Sequence, residues 1–293
     1  MKMIVTNIRQ LRDPFILVEK DAYYMYGSKW ELYKNVSGSL GGEWVKVEKE
    51  IVKKPDDFVG DVMWAPEVHK VNGCYYMFTT YTSKTTGFRG CSTFKADNPE
   101  GPFIEISNGH FTPKNKCSID ATLYFDKDGQ PWSIFVDEHV TAPDKIGRMD
   151  IAKMSSDLTK LISEPIEIFR ADDPKWTDMN VTDGCFMYDL SGGGLLMIWS
   201  NYQSLYEYAL GVVKSDNGKI DGKWIHEDEP LYQKRVEGNG VLDGGHGMIF
   251  TDYDGQKYIC MHSPNYYVKE LDRRETPIII KIKEENGTIV FED

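Results

Sequence analysis

Long apolar runs are missing from this sequence. No stretch of the 293 residues approaches the roughly 18 consecutive apolar residues that a membrane-spanning helix needs. The opening residues, MKMIVTNIRQ, lack the apolar core of a secretory leader, so the expectation is a cytoplasmic protein. A basic excess is missing too: 34 Lys and Arg stand against 46 Asp and Glu, a net charge of -12. That balance argues against nucleic acid or a membrane surface as partner and suits a neutral polar ligand. Helical periodicity is scarce, and SSDLTKLI from Ser155 is the one segment that reads as a short helix. Cysteine is sparse and odd in number. Cys74, Cys91, Cys117, Cys185 and Cys260 are scattered in or beside apolar strand-like segments, the pattern of buried free thiols and not of disulfides or metal ligands.

What the chain does have is aromatic residues and tight turns. Tyr (17) outnumbers Phe (13), a bias that suits both β-sheets and half-wet binding grooves. Five segments share one grammar: RDPFILVEKDAYYMYGS, WAPEVHKVNGCYYMFTTY, IDATLYFDKDGQPWSIFVDE, TDGCFMYDLSGGGLLMIWS and GGHGMIFTDYDGQKYICMHS. In each, alternating apolar positions run into a tight turn (KDA, NG, DG, GG, DG) and out into a second apolar or aromatic strand. Between them lie further strand-like runs, GEWVKVEKEIV, GPFIEIS, EPIEIF and KWIHEDEPLY, which fit outer strands. About 50 to 60 residues and four strands per unit is the arithmetic of a propeller blade. The expected fold is therefore all-β, a five-bladed β-propeller, with residues 1–293 forming a single domain.

Counting back nine residues from the turn reaches Asp13, Trp64, Asp120 and His246, and counting ten in the fourth segment reaches Asp183. First strands of propeller blades line the central channel, so residues at one repeated position converge on the axis. An Asp before Pro or Gly is ordinarily a turn residue, but three Asp in register at strand starts are not explained that way. Converging carboxylates cannot all ionise equally, which is the arrangement for paired general acid and general base work. Glycosidic hydrolysis needs such a pair, and an indole beside it offers a flat face to a sugar ring. Trp199, alternating with apolar neighbours in LLMIWS, reads as core, and His69 in EVHK reads as structural.

Taken together, RDPFIL, WAPEVHK, IDATLYFDKDG, TDGCFMY with LLMIWS, and GGHGMIF resemble glycoside hydrolase family 43, over about residues 8 to 265. That family comprises five-bladed propellers, mostly arabinofuranosidases, xylosidases and arabinanases. The resemblance implies Asp13 as general base, Asp120 as the residue that orients the acid and holds its pKa high, and Asp183 as general acid. It implies Trp64 as a wall of the sugar pocket. It implies that His246 sits on the axis, where it often helps hold a hydrated ion, typically calcium, while the chemistry itself needs no cofactor. The implied mechanism is single displacement with inversion, with the two carboxyls roughly 6.5–9.5 Å apart. The expected substrate is an oligosaccharide ending in α-L-arabinofuranose, with β-D-xyloside second and galactosides third. The departure is at the acid, where the family usually carries Glu-Gly and this chain has Asp183-Gly184. A side chain one methylene shorter reaches about 1.5 Å less far, and a misplacement of about 1 Å can cost roughly a hundredfold in rate. Three readings follow: the backbone brings Asp183 closer to the axis, another acid such as Glu67 or Glu207 protonates the leaving group, or the protein is a non-catalytic sugar-binding propeller; the expectation is an active Asp183.

Overall fold

The structure, a computed structural model, describes residues 2–204, 207–237 and 240–292. Its strands form five antiparallel blades around a central channel, as expected from the repeat. Blade one is Phe15–Glu19, Ala22–Gly27, Glu31–Asn35 and Val45–Lys46, from the innermost strand outward. Blade two is Phe58–Val71, Cys74–Ser83, Arg89–Ala96 and Ile104–Glu105. Blade three is Ser118–Phe125, Pro131–Asp137, Arg148–Lys153 and Ile166–Arg170. Blade four is Asp183–Asp189, Leu195–Tyr202, Tyr208–Ser215 and Trp224–His226. Blade five is Gly245–Thr251, Lys257–Ser263 and Thr276–Glu285, and its outer position is filled by Met3–Val5 and Thr288–Phe291, which pair along different halves of the third strand. Residues from both ends of the sequence thus share one blade and close the ring.

Burial follows position in the blade. Second strands are covered on both faces by neighbouring blades, so Ala22–Gly27 and Pro131–Asp137 are buried at every residue. Outer strands are short and leave Val45, Ile104, Ile166 and Ile225 exposed. The core is consequently a set of wedges between adjacent blades. Met25, Tyr26, Met77 and Phe94 belong to one of them, and Ile134, Met149, Trp199 and Val213 to another. Trp199 is fully buried between Phe169 and Trp176, with ring centroids at 5.0 and 5.4 Å, so it is core as expected. All five cysteines are free, and all but Cys74 are buried.

The helix expected at Ser155 does not form. Met154 bridges Leu161, Ser155 N–H donates to the Lys160 carbonyl at 2.9 Å, and Leu158 turns left-handed at φ 61°. The Asp157 carboxylate accepts from the Ser155 hydroxyl at 2.5 Å and from the Thr159 N–H and hydroxyl at 3.2 and 2.9 Å. Such local side-chain bonds compete with helix formation, and here they win. The helical turns that do occur among the described residues are 3-10 turns at Ser28–Trp30 and Lys269–Leu271.

The innermost strands carry a device that the alternation pattern does not reveal. Pairing with the second strand slips between Trp64 and Glu67, between Ile119 and Thr122, between Asp183 and Phe186, and between Gly245 and Met248. Each slip is a bulge whose first residue is left-handed: Ala65 (φ 43°), Asp120 (54°), Gly184 (43°) and His246 (51°), matched in blade one by Asp13 (55°). Trp64 and Asp183 therefore stand one residue before the repeated position, not on it. Counting back from the turn overshoots the bulge for two reasons. Two residues separate the paired ends Val71–Cys74, against five in Phe125–Pro131, Asp189–Leu195 and Thr251–Lys257, so a count of nine passes Ala65 and reaches Trp64; in blade four, whose loop matches those of blades three and five, a count of nine reaches Gly184 and the count of ten passes it.

Candidate active site

The bulges turn Asp13, Asp120 and His246 toward one cavity of about 320 Å³, and the residues just before two bulges, Trp64 and Asp183, line the same cavity. A left-handed φ in a non-glycine residue costs of order 1–3 kcal/mol, so each bulge needs support. The support is a set of side chains at four of the five junctions between blades. Each accepts the bulge N–H from the second strand of the blade before, or from just past its end. Asp13 N–H donates to His262 Nδ1 at 3.3 Å, and Ala65 N–H to Ser28 Oγ at 3.1 Å. Asp120 N–H donates to Thr80 Oγ1 at 3.0 Å, and His246 N–H to Ser200 Oγ at 2.8 Å. The other four blades carry this left-handed φ on non-glycine residues, so what favours glycine at 184 is the His246 ring, whose Cγ lies 2.7 Å from where a Cβ would sit.

Asp13 is surrounded by donors and cations. Ser28 Oγ donates to its Oδ2 at 2.5 Å; His246 Nδ1 lies 3.1 Å and Arg12 Nε 3.6 Å from its Oδ1. Burial opposes ionisation, but His246, Arg12 and the Ser28 hydroxyl outweigh it and hold the carboxyl down to about 2. Arg12 is fixed by bonds from Nη1 to Asn265 Oδ1 at 2.7 Å and Glu275 Oε1 at 3.1 Å. Because His262 Nδ1 accepts from Asp13 N–H, its proton resides on Nε2, 3.2 Å from Asn265 Oδ1. Burial and the charge of Arg12 push that imidazole down to about 3, which keeps it neutral.

Asp120 and Asp183 occupy the opposite condition. Burial and the charge of Asp13 push Asp120 up to about 7, against the pull of the Gly184 N–H, which donates to its Oδ2 at 3.1 Å. Burial and the adjacent Asp120 raise Asp183 well above the carboxylate range, and the Tyr208 hydroxyl donates to its Oδ2 at 2.9 Å. The two carboxyls are coupled and titrate as a pair that keeps a proton near neutrality. One cavity thus presents an ionised carboxylate from blade one and a protonated pair from blades three and four.

Trp64 forms a wall. Its ring lies under the Arg89 guanidinium, 5.3 Å from the centroid, and Arg89 is held by two bonds to Glu138 at 2.8 and 2.9 Å. Trp64 and Arg12 also border a second recess of about 590 Å³, which extends the cavity over blades one and two. Glu67 does not line the cavity. It lies three residues beyond Trp64, past the bulge, bonded to His69 Nε2 at 3.2 Å, and His69 packs edge-on against Phe15 and Phe78, a structural role as expected. Glu207 pairs with Lys234 away from the cavity. Sequence reasoning missed Arg12 as an anchored cation, and missed His262, Tyr208, Asn265 and the Arg89–Glu138 pair. Tyr208, Asn265, Arg89 and Glu138 lie on third strands or loops that the repeat does not mark, whereas Arg12 and His262 do hold repeated positions, just before the bulge and facing it, which aligning the five segments on the bulge would have shown.

Donor atoms of Asp120, Asp183 and His246 lie within 4.8 Å of one another. Calcium takes six to eight oxygen ligands. Here one donor is an imidazole nitrogen, and two carboxyl oxygens already accept from Gly184 N–H and Tyr208 O–H. The set does not fit a directly coordinated calcium ion.

The comparisons agree with this fold. Residues 5–288 match the family described as glycosyl hydrolases family 43, and the chain belongs to that family. It is similar over 98% of its length to the whole of a chain described as an endo-arabinase from Bacteroides thetaiotaomicron, at 32% identity and a TM-score of 0.83. A thermostable family-43 glycoside hydrolase superposes over 99% of this chain and 95% of its own, at 20% identity and a TM-score of 0.84, a likeness of fold. Among curated proteins it is 26% identical over 273 residues to an extracellular exo-α-(1→5)-L-arabinofuranosidase of Streptomyces avermitilis, covering 87% of this chain and 54% of that protein. It is 24% identical over 212 residues to a xylosidase/arabinosidase of Butyrivibrio fibrisolvens, covering 69% of this chain and 38% of that one. The chain therefore spans about half or less of the length of these two curated relatives. The extracellular Streptomyces enzyme also corrects the cytoplasmic expectation, since the lack of an apolar leader in this sequence decides nothing about compartment.

Proposed function

We propose that the protein is an inverting glycoside hydrolase that releases terminal α-L-arabinofuranosyl residues from oligosaccharides, with β-D-xylosides as the second substrate class. The observation that carries this reading is the placement of three aspartates on one cavity, Asp13 against Arg12, His246 and Ser28, and Asp183 beside Asp120. Asp13, ionised, takes a proton from a water that attacks the anomeric carbon. Asp183, protonated, gives its proton to the leaving oxygen as the glycosidic bond breaks. Asp120 holds the proton affinity of Asp183 high, and Tyr208 fixes the direction of its carboxyl. The short acid side chain is compatible with this role because Asp183 sits directly before the bulge, where it already borders the cavity. The terminal sugar occupies the smaller cavity against Trp64, and the remaining units lie in the recess beyond it. His246 Nδ1, 3.1 Å from Asp13 Oδ1, holds that carboxyl in place.

A panel of nitrophenyl glycosides tests the reading. Turnover of the arabinofuranoside, with inverted arabinose as the first product by NMR, supports it. Sugar binding without turnover across the panel would favour a non-catalytic sugar-binding propeller instead. Arabinan digestion separates modes of attack: arabinose alone fits release of terminal units, and longer oligosaccharides would replace that reading with internal cleavage, the activity named for the Bacteroides relative.

A further inference from the structure

The ring of bulge acceptors has one break. The acceptor at each junction is the second-strand residue facing the position just before the bulge: Thr80 faces Trp64, Ser200 faces Asp183, and His262 faces Gly245. Ser28 faces Arg12, donating its N–H to the Arg12 carbonyl at 3.0 Å. In blade three that position, facing Ile119, is Val136, which is fully buried and has no acceptor atom. The N–H it would have received belongs to Gly184, and this N–H donates to the Asp120 carboxylate instead. We infer that Val136 is a positioning residue for catalysis: by offering no acceptor, it leaves the Gly184 N–H for the carboxylate of Asp120.

The consequence is chemical. Asp120 is held at three points: its N–H on Thr80, its carbonyl under the Cys185 thiol at 3.2 Å, and its Oδ2 under the Gly184 N–H. The third point alone touches the carboxylate. A donor there stabilises the ionised form of Asp120 relative to the protonated one, so the proton that the pair keeps is biased toward Asp183, where the leaving group needs it. Four junctions spend their acceptor on backbone geometry, and the fifth diverts its N–H to the acid. This inference rests on the reading of Asp183 as the acid.

The test is Val136→Thr, a near-isosteric change that supplies the hydroxyl Thr80 provides one blade earlier, with Val136→Ser as an alternative if that variant folds poorly. Val136→Ala removes volume without adding an acceptor and serves as the control. The Gly184 amide proton, followed by NMR, is expected to move upfield in Val136→Thr as it leaves the carboxylate, and to stay in place in Val136→Ala. Turnover of an alkyl arabinofuranoside, which needs the acid, is expected to fall about fivefold more than turnover of the nitrophenyl arabinofuranoside in Val136→Thr, the worth of one hydrogen bond. An unmoved Gly184 amide in Val136→Thr, or the same loss on both substrates in both variants, overturns the inference. If the wild type turns over no glycoside, the proposed activity fails by itself, and the amide measurement still decides where the Gly184 N–H goes.

Discussion

On the side of the cavity built by blades five and one, a carboxyl is surrounded by an arginine, an imidazole and a hydroxyl. On the side built by blades three and four, two carboxyls face each other with one phenol and one backbone N–H between them and neutralisation. The side chains are chemically the same, all aspartates at or next to a bulge; Asp13 and Asp120 are buried, and Asp183 is half-buried at the cavity wall. What differs is the charge of their neighbours. Burial alone would push every one of them upward; Arg12 and His246 reverse that for Asp13, and nothing comparable reverses it for Asp183. Opposite proton affinities arise from one repeated backbone device because the charges around it are not repeated.

The largest effect is expected where the ionised side is broken. Asp13→Asn keeps size and hydrogen-bonding shape but removes the base, and turnover should fall roughly a thousandfold or more. The loss should be the same for nitrophenyl and alkyl arabinofuranosides, because water activation is needed for both. On the other side, Asp183→Asn should cost about a hundredfold on the alkyl glycoside and far less on the nitrophenyl one, whose leaving group departs without a proton. Equal losses on both substrates would remove Asp183 from the acid role.

A smaller and more directional test uses pH. The acid limb of activity belongs to Asp13 and should lie low, since that carboxyl is held down to about 2. The alkaline limb belongs to the Asp120–Asp183 pair: as pH rises above neutrality the shared proton is lost and the acid with it. The Tyr208 hydroxyl donates to Asp183 and so stabilises its ionised form. Tyr208→Phe removes that donor, raises proton affinity, and should move the alkaline limb upward by about half to one pH unit. A limb that moves down, or does not move, would mean that Tyr208 serves packing alone.

How far this contrast was legible in the sequence depends on which link is asked about. The blades were legible because alternation and turn residues are local, and even the outer strands showed in runs such as EPIEIF. Convergence of Asp13, Asp120 and His246 was legible because a repeat carries geometry with it. The bulge was not, since an extra residue in a strand leaves no mark on an apolar pattern; the shorter loop of blade two hid that Trp64 precedes the repeated position, and the third glycine of SGGG drew the count in blade four one residue past Gly184 to Asp183. Arg12 was visible in RDP, yet its charge could be assigned a role only once Asn265 and Glu275, over 250 residues away, were found against it. The false helix at Ser155 failed for the opposite reason: its competing bonds, from Asp157 to Ser155 and Thr159, are local and could have been anticipated.

Trp64 offers the smallest expected effect and the finest probe of the comparison, because it belongs to neither charged side. Its indole is about one-third exposed and is held flat by Arg89, itself locked by Glu138. Trp64→Ala removes a flat apolar face for the sugar without touching any carboxyl, so KM should rise severalfold. The pH limits of kcat should stay where they are, because neither Arg12 near Asp13 nor Tyr208 on Asp183 depends on the indole. A displaced limb in this variant would mean that Arg89, freed from the ring, reaches the carboxyls, and that the boundary between the two sides is maintained by the wall as well as by the charges on either side of it.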